Sequence, residues 1–274
     1  MRELVVAVLA GIVQGIFEWL PISSQGNLAL FLTAIDTNPD VALQLALFLH
    51  LGTTLSAATY YREDIREVIA ATPTWRPGSA FVGPNATTTF VVVASLFTGV
   101  VGVPLYVFAV DFVGDLAGGT FVALIGALLV VTGAVQLASE SASLGNRTRP
   151  TLLDSVLAGA FQGFAILPGV SRSGTTTSVL LFRSYRAPEA FRLSFLLSIP
   201  ASLGGAALTV AGAGGLPGIA PAPAALALLT SAAVGYLTID ALMRIVERIP
   251  FWAVCFGLGG LAILGGGAVT WLGY

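Results

Sequence analysis

The chain has no lysine, one histidine (His50) and one cysteine (Cys255), and its 274 residues carry only 12 basic and 14 acidic side chains. Each shortage closes off a class of function. One cysteine excludes an internal disulfide, and a single histidine beside it excludes a Cys/His metal cluster, so any metal has to be a hard cation held by oxygen. With every basic residue an arginine and a net charge of −2, nucleic-acid binding has no electrostatic basis and no nucleic-acid partner is expected. Charged residues make up 9% of the sequence, where soluble proteins carry about a quarter.

Apolar length takes the place of charge. Hydrophobic residues are 56% of the chain and the mean hydropathy is +0.91, which describes a polytopic membrane protein. Six runs are long enough to cross a bilayer, at about 20 residues each: Val41 to Tyr61, Thr88 to Val110, Ala117 to Ala138, Pro188 to Ala211, Ala222 to Met243 and Phe251 to Leu272. Leu4 to Leu20 carries Gln14 and Glu18 and lacks a small-residue cleavage pattern, so it reads as mature structure rather than a signal peptide. Two further stretches, Leu4 to Leu32 and Leu152 to Phe182, are interrupted by proline and polar residues. Broken helices at membrane depth survive only where protein or a cavity shields the backbone, so each is expected to be a re-entrant helical hairpin.

Charge placement agrees with that topology. With hairpins that return to their own side, Arg62, Arg66, Arg76, Arg147, Arg149, Arg183, Arg186, Arg244 and Arg248 fall on one face, which the positive-inside rule makes cytoplasmic. Arg2, Asp111, Asp115 and the uncharged 212–221 loop fall on the other, with both termini. The halves resemble each other: Gly11, Gln14 and Gly15 followed by Pro21 and Ser23 match Gly159, Gln162 and Gly163 followed by Pro168 and Ser171, the glutamines lying 148 residues apart. Three spans per half make the second copy inverted. The expected architecture is therefore an all-α integral membrane protein with six transmembrane helices and two re-entrant hairpins in an inverted-topology repeat. It forms a single membrane domain, 1–274, with halves 1–140 and 150–274. Such repeats place their site near the midplane, so the two hairpin tips are expected to meet there.

The tips carry the chemistry. Residues 168–177 read Pro-Gly-Val-Ser-Arg-Ser-Gly-Thr-Thr-Thr. An arginine at membrane depth costs roughly 2.5–3.5 kcal/mol on insertion scales, so Arg172 marks a cavity or a partner. Its planar fork suits two phosphate oxygens, and flanking glycines, hydroxyls and amide N–H groups suit an anion. On the first tip Gln14 and Glu18 share a helix face, followed by Pro21, Ser23, Ser24 and Asn27. A lone carboxylate there needs Arg172, a cation or a proton. Ser24 is a candidate nucleophile whose proton would go to Glu18 or to a metal-bound hydroxide. His50 lies inside the first span beside Gly52, Thr53 and Thr54, where a lone histidine is more often a hydrogen-bonded interior residue than a catalyst. Trp19 reads as lipid-facing or packing, and the glycines of the last span, Gly257, Gly259, Gly260, Gly265, Gly266 and Gly267, as aids to close helix packing.

Together, (Glu/Gln)-x-x-x-Glu with Pro-x-Ser-Ser, and Pro-Gly-x-Ser-Arg-Ser-Gly-x-Thr, resemble the undecaprenyl-diphosphatase family of the bacitracin-resistance type over nearly the whole chain. The resemblance implies a cell (plasma) membrane enzyme that hydrolyses a long-chain polyprenyl diphosphate to the monophosphate and phosphate, recycling a lipid carrier. It implies aid from Mg or Ca and a site open to the outer face. By position it implies catalytic roles for Glu18, Ser24 and Arg172, with Glu18 as metal ligand, and substrate contacts from Gln14, Ser23, Asn27, Ser171, Ser173, Gly174 and Thr176. Two positions depart: Gln14 stands where many members have a first Glu, and Asn27 where members commonly have a histidine; asparagine cannot take a proton. The expected partners are the polyprenyl diphosphate lipid and the membrane, with homodimerisation left open. Rival readings are a polyprenyl-phosphate flippase using the same midplane site, and a channel or ion-coupled carrier in which Glu18 binds the ion.

Overall fold

The computed structural model describes residues 2–114, 116, 118–140, 145–246 and 248–272; Asp115 and Ala117, cited above for a loop charge and the start of a span, lie outside them. Eleven α-helices are described: α1 (Arg2–Phe17), α2 (Ser24–Ala34), α3 (Pro39–Tyr60), α4 (Arg62–Ala71), α5 (Asn85–Gly114), α6 (Gly118–Glu140), α7 (Leu152–Gly163), α8 (Arg172–Phe182), α9 (Ala187–Gly212), α10 (Pro221–Val246) and α11 (Phe251–Trp271). Six of them, α3, α5, α6, α9, α10 and α11, are long and apolar enough to span a membrane, and they correspond one to one with the expected runs. This is an all-helical, multi-pass membrane protein. The amphipathic α4, between the first two spans, had no counterpart in the hydropathy pattern.

Local chemistry starts the helices where they start. Prolines lie in the first turns of α3, α9 and α10, where a missing N–H costs nothing. At α7 a capping box closes the first turn: the Thr151 amide donates to Asp154 Oδ2 at 2.9 Å and the Asp154 amide to Thr151 Oγ1 at 3.4 Å.

Small residues set the packing. On α6, Gly119, Gly126 and Gly133 step by seven residues and meet the backbones of Gly266, Gly259 and Trp252, which step back by seven, so α6 and α11 pack antiparallel with backbones in contact. In the last span only Gly259 and Gly266 of the six glycines make such an approach. Gly11 and Gly15 seat α1 on α10, and their counterparts Gly159 and Gly163 seat α7 on α5. α3 is the most enclosed span, packed by α1, α2, α9 and α10. Outward, α5 exposes Val92, Leu96, Val100, Val103 and Val107 in one stripe, the face such a helix offers to lipid.

Polar groups gather at one end. Asp154, fully buried, accepts from Arg183 Nε (2.6 Å), Arg147 Nη2 (3.1 Å) and the Tyr185 hydroxyl (2.9 Å). Arg192 ties the start of α9 to Asp64 of α4 at 2.6 Å, and Tyr60 at the end of α3 donates to Asp240 near the end of α10 at 2.7 Å.

Candidate functional site

Two breaks position the site. α1 ends at Phe17 and the chain turns through Pro21 into α2; α7 runs into a short 3-10 turn (Phe164–Ile166) and through Gly169 into α8. The turns are built alike. Ser23 caps α2 by accepting from the Gly26 amide at 3.2 Å, and Ser171 caps α8 by accepting from the Gly174 amide at 3.1 Å. The first residues of the two helices are therefore Ser24 and Arg172.

The two turns touch. The Gly169 amide donates to Ser23 Oγ at 3.1 Å, Gln25 Nε2 donates to the Ile166 carbonyl at 3.0 Å, and Arg172 Nη2 pairs directly with Glu18 Oε1. A Cβ on Gly26 would lie 2.7 Å from the Gly169 nitrogen, so the turns touch backbone to backbone. Two conformations hold this contact: Gly169 at φ 103°, which suits glycine, and Ser23 at φ 60°, a left-handed backbone held by the hydrogen bonds to its side chain.

Helix α6 braces both tips. Gln136 Nε2 donates to the Pro21 carbonyl at 2.5 Å, while Thr132 Oγ1 donates to the Gly169 carbonyl at 3.0 Å and accepts from the Ser171 amide at 3.2 Å. Trp19 is buried rather than lipid-facing, its indole donating to the Gly235 carbonyl at 3.0 Å and its ring packed on Phe195.

Glu18 is the electrostatic centre. Its Oε2 accepts from Gln14 Nε2 at 2.9 Å and Ser24 Oγ at 2.7 Å, with His50 Nε2 3.2 Å away; its Oε1 faces Arg172. Arg172 has two buried nitrogens, Nε and Nη1, with no hydrogen-bond partner. Buried donors are normally paired, so these two are poised for an acceptor from outside the chain.

Beside them lies a cavity of about 520 Å³, lined by Ser23, Ser24, Gln25, His50, Gln162 and Arg172 at its polar end and by small residues of α5 and α9 beyond. Of the residues singled out from sequence, Ser23, Ser24 and Arg172 line it. Gln14, Glu18, Ser171, Ser173, Gly174 and Thr176 sit behind that wall, several already engaged: Ser171 caps α8, and Thr176 donates to the Arg172 carbonyl at 2.8 Å and bonds Ser194. Asn27 does not reach the cavity; its amide clamps the first turn, donating to the carbonyls of Ile22 (2.7 Å) and Ser23 (2.9 Å). Glu18, expected as a cation ligand, accepts from Gln14 and Ser24 on Oε2 and pairs with Arg172 on Oε1, and among the described residues no group of three or more His, Cys, Asp or Glu side chains is placed to hold a metal ion. Sequence reasoning passed over Gln136 and Thr132, whose roles depend on the register of α6, and set His50 aside as an interior residue.

The first residues of the two helices, Ser24 and Arg172, therefore line one partly enclosed cavity with a hydroxyl and a guanidinium. A guanidinium with unpaired donors at the wall of such a cavity suits an oxyanion. Residues 7–261 match the family described as bacitracin resistance protein BacA. The chain is 47% identical to an undecaprenyl-diphosphatase of Haloarcula marismortui, over 97% of this chain and 98% of that one. It is 39% identical to one of Methanococcoides burtonii (96% and 98% covered) and 36% identical to one of Methanopyrus kandleri (96% of each).

Proposed function

The chain belongs to the bacitracin resistance protein BacA family, and from that premise we propose that it is a membrane phosphatase hydrolysing a long-chain, undecaprenyl-type polyprenyl diphosphate to the monophosphate and inorganic phosphate. The observation that carries the reading is Arg172: a guanidinium anchored to Glu18 through one nitrogen, with two further buried nitrogens unpaired at the cavity wall. In this reading Nε and Nη1 take oxygens of the terminal phosphoryl group, the N-termini of α2 and α8 add their dipoles, and Ser24 Oγ attacks phosphorus. Glu18 orients both groups, holding the guanidinium on one oxygen and the serine hydroxyl on the other. The small side chains of α5 and α9, from Gly99 and Gly102 to Gly204 and Ala211, leave room for the prenyl chain. Magnesium or calcium, if bound, would be held by oxygens such as those of Glu18 and Ser24 and would neutralise charge on the diphosphate.

The topology proposed is the inverted repeat, with α1–α2 and α7–α8 as re-entrant pairs. Its support is the crossed packing, in which α1 lies on α10 of the other half and α7 lies on α5. The arginine-rich end is the cytoplasmic one of a plasma-membrane protein by charge bias. The cavity is lined by the second half of α9, away from Arg186 and Arg192, and on that ground opens toward the outer face.

Phosphate release from a polyprenyl diphosphate in detergent is the test. Wild-type protein is expected to release phosphate with no sealed membrane, which lipid flipping alone cannot do. Arg172→Ala is expected to slow release by about a hundred- to a thousandfold or more, the loss typical of one preorganised oxyanion donor. Unchanged turnover in that variant would remove Arg172 from the headgroup site.

A further inference from the structure

We propose that His50, on the central span α3, is the general base that activates Ser24. This rests on the phosphatase reading above. A serine hydroxyl is a weak nucleophile unless an adjacent group takes its proton. Two candidates reach Ser24 Oγ: Glu18 Oε2 at 2.7 Å and His50 Nε2 at 3.4 Å. Glu18 is the poorer one, since its carboxylate already accepts from Gln14 and is paired with Arg172. Protonating it would cancel the charge that anchors the guanidinium.

His50 has the opposite arrangement. Its Nδ1 lies 2.7 Å from the Ala46 carbonyl, which can only accept, so Nδ1 carries a hydrogen and Nε2 is the ring atom left to exchange a proton. That atom faces both Ser24 Oγ and Glu18 Oε2, the latter at 3.2 Å. A proton arriving on Nε2 therefore lands beside a carboxylate, and the imidazolium charge is offset where it forms. The imidazole lines the cavity, so it stands beside the reacting group. One backbone carbonyl holds the ring in place, and one carboxylate stabilises the charged form.

The steps balance. As Ser24 Oγ bonds to the terminal phosphorus, its hydroxyl turns from Glu18 toward His50, its O–H bond breaks and the proton moves to Nε2; the phosphorus–oxygen bond to the lipid monophosphate breaks, and the monophosphate leaves as an anion. Water then attacks the phosphoserine, keeping one hydrogen and giving the other to a phosphoryl oxygen. The Oγ–phosphorus bond breaks, and Nε2 returns its proton to Ser24.

The test compares His50→Gln and His50→Ala in phosphate release from a polyprenyl diphosphate in detergent. Glutamine keeps a hydrogen-bonding side chain but cannot take the proton. Both variants are expected to lose about a hundredfold or more in kcat, within the range for general-base removal, with KM changed by less than about threefold. Imidazole added to the alanine variant is expected to restore part of the lost kcat. A glutamine variant within about threefold of wild-type kcat, or an alanine variant that imidazole does not rescue, would overturn the proposal. A failure of the underlying reading looks different, because wild-type protein would then release no phosphate at all.

Discussion

The two tips are one backbone device used for two chemistries. Each has a glutamine before the break (Gln14, Gln162), a serine cap (Ser23, Ser171), a glycine three residues on (Gly26, Gly174) and one polar residue as the first of its helix. Two of their differences divide the chemistry. Where the first tip has Glu18 the second, 148 residues on, has Ile166, and where the first has Ser24 the second has Arg172. Gln14 accordingly donates to a carboxylate, whereas Gln162 donates to Thr98 Oγ1 at 3.1 Å. One tip thus supplies the anion and nucleophile, the other the cation. Two copies of either tip would bring like charges together in a buried place, where repulsion is strong.

Exchanging the charges tests this division most severely. Glu18→Arg combined with Arg172→Glu keeps an ion pair across the contact, so the protein is expected to fold and stay monodisperse in detergent. Phosphate release is expected to vanish, because a carboxylate then starts α8 and repels the substrate. Glu18→Gln alone leaves Arg172 with no counter-charge at a largely buried site, and losing one partner of such a pair costs about 3–5 kcal/mol. A thermal unfolding midpoint unchanged in Glu18→Gln, or turnover retained in the exchanged protein, would show that the charges are not divided in this way.

The equivalent glycines give a smaller contrast. A Cβ on Gly26 would meet the Gly169 backbone at 2.7 Å, whereas one on Gly174 would meet a side-chain end, Gln136 Nε2, at the same 2.7 Å. Backbone cannot give way without moving the tips apart, and misplacing reacting groups by about 1 Å costs up to a hundredfold. Gly26→Ala is expected to lower kcat by about that factor, and Gly174→Ala by about tenfold less. Equal effects would mean that the tips are not in rigid contact.

What could be read from sequence follows from the same contrast. Glu18 and Arg172 stood out because ionised groups are expensive in apolar helices, and the paired Gln, Ser and Gly positions pointed to two tips that meet. The hydroxyls have structural partners as well. Serines and threonines cluster at a helix N-terminus for capping as readily as for binding, and Ser171 and Thr176 turn out to hold α8 together while Asn27 clamps the first turn. His50, Thr132 and Gln136 lie on spans whose facing side depends on how whole helices rotate and cross. No local spacing in α3 or α6 announces that.

The smallest expected effect on turnover lies away from the tips, at Asp154, which opens the second pair of short helices and has no counterpart opening the first. Burial raises its carboxyl, but hydrogen bonds from Arg183, Thr151 and Tyr185 outweigh that and hold it below the ordinary carboxylate value. A depressed acid stabilises the fold above its unfolded pKa, of about 4, and that contribution is lost as pH falls through the lower folded value. Asp154→Asn is therefore expected to lower the unfolding midpoint at neutral pH and to flatten its fall below about pH 4, with kcat within about twofold of wild type. If turnover instead collapses together with the midpoint, the capped start of α7 sets the position of Arg172, and the second tip depends on its far end in a way the first does not.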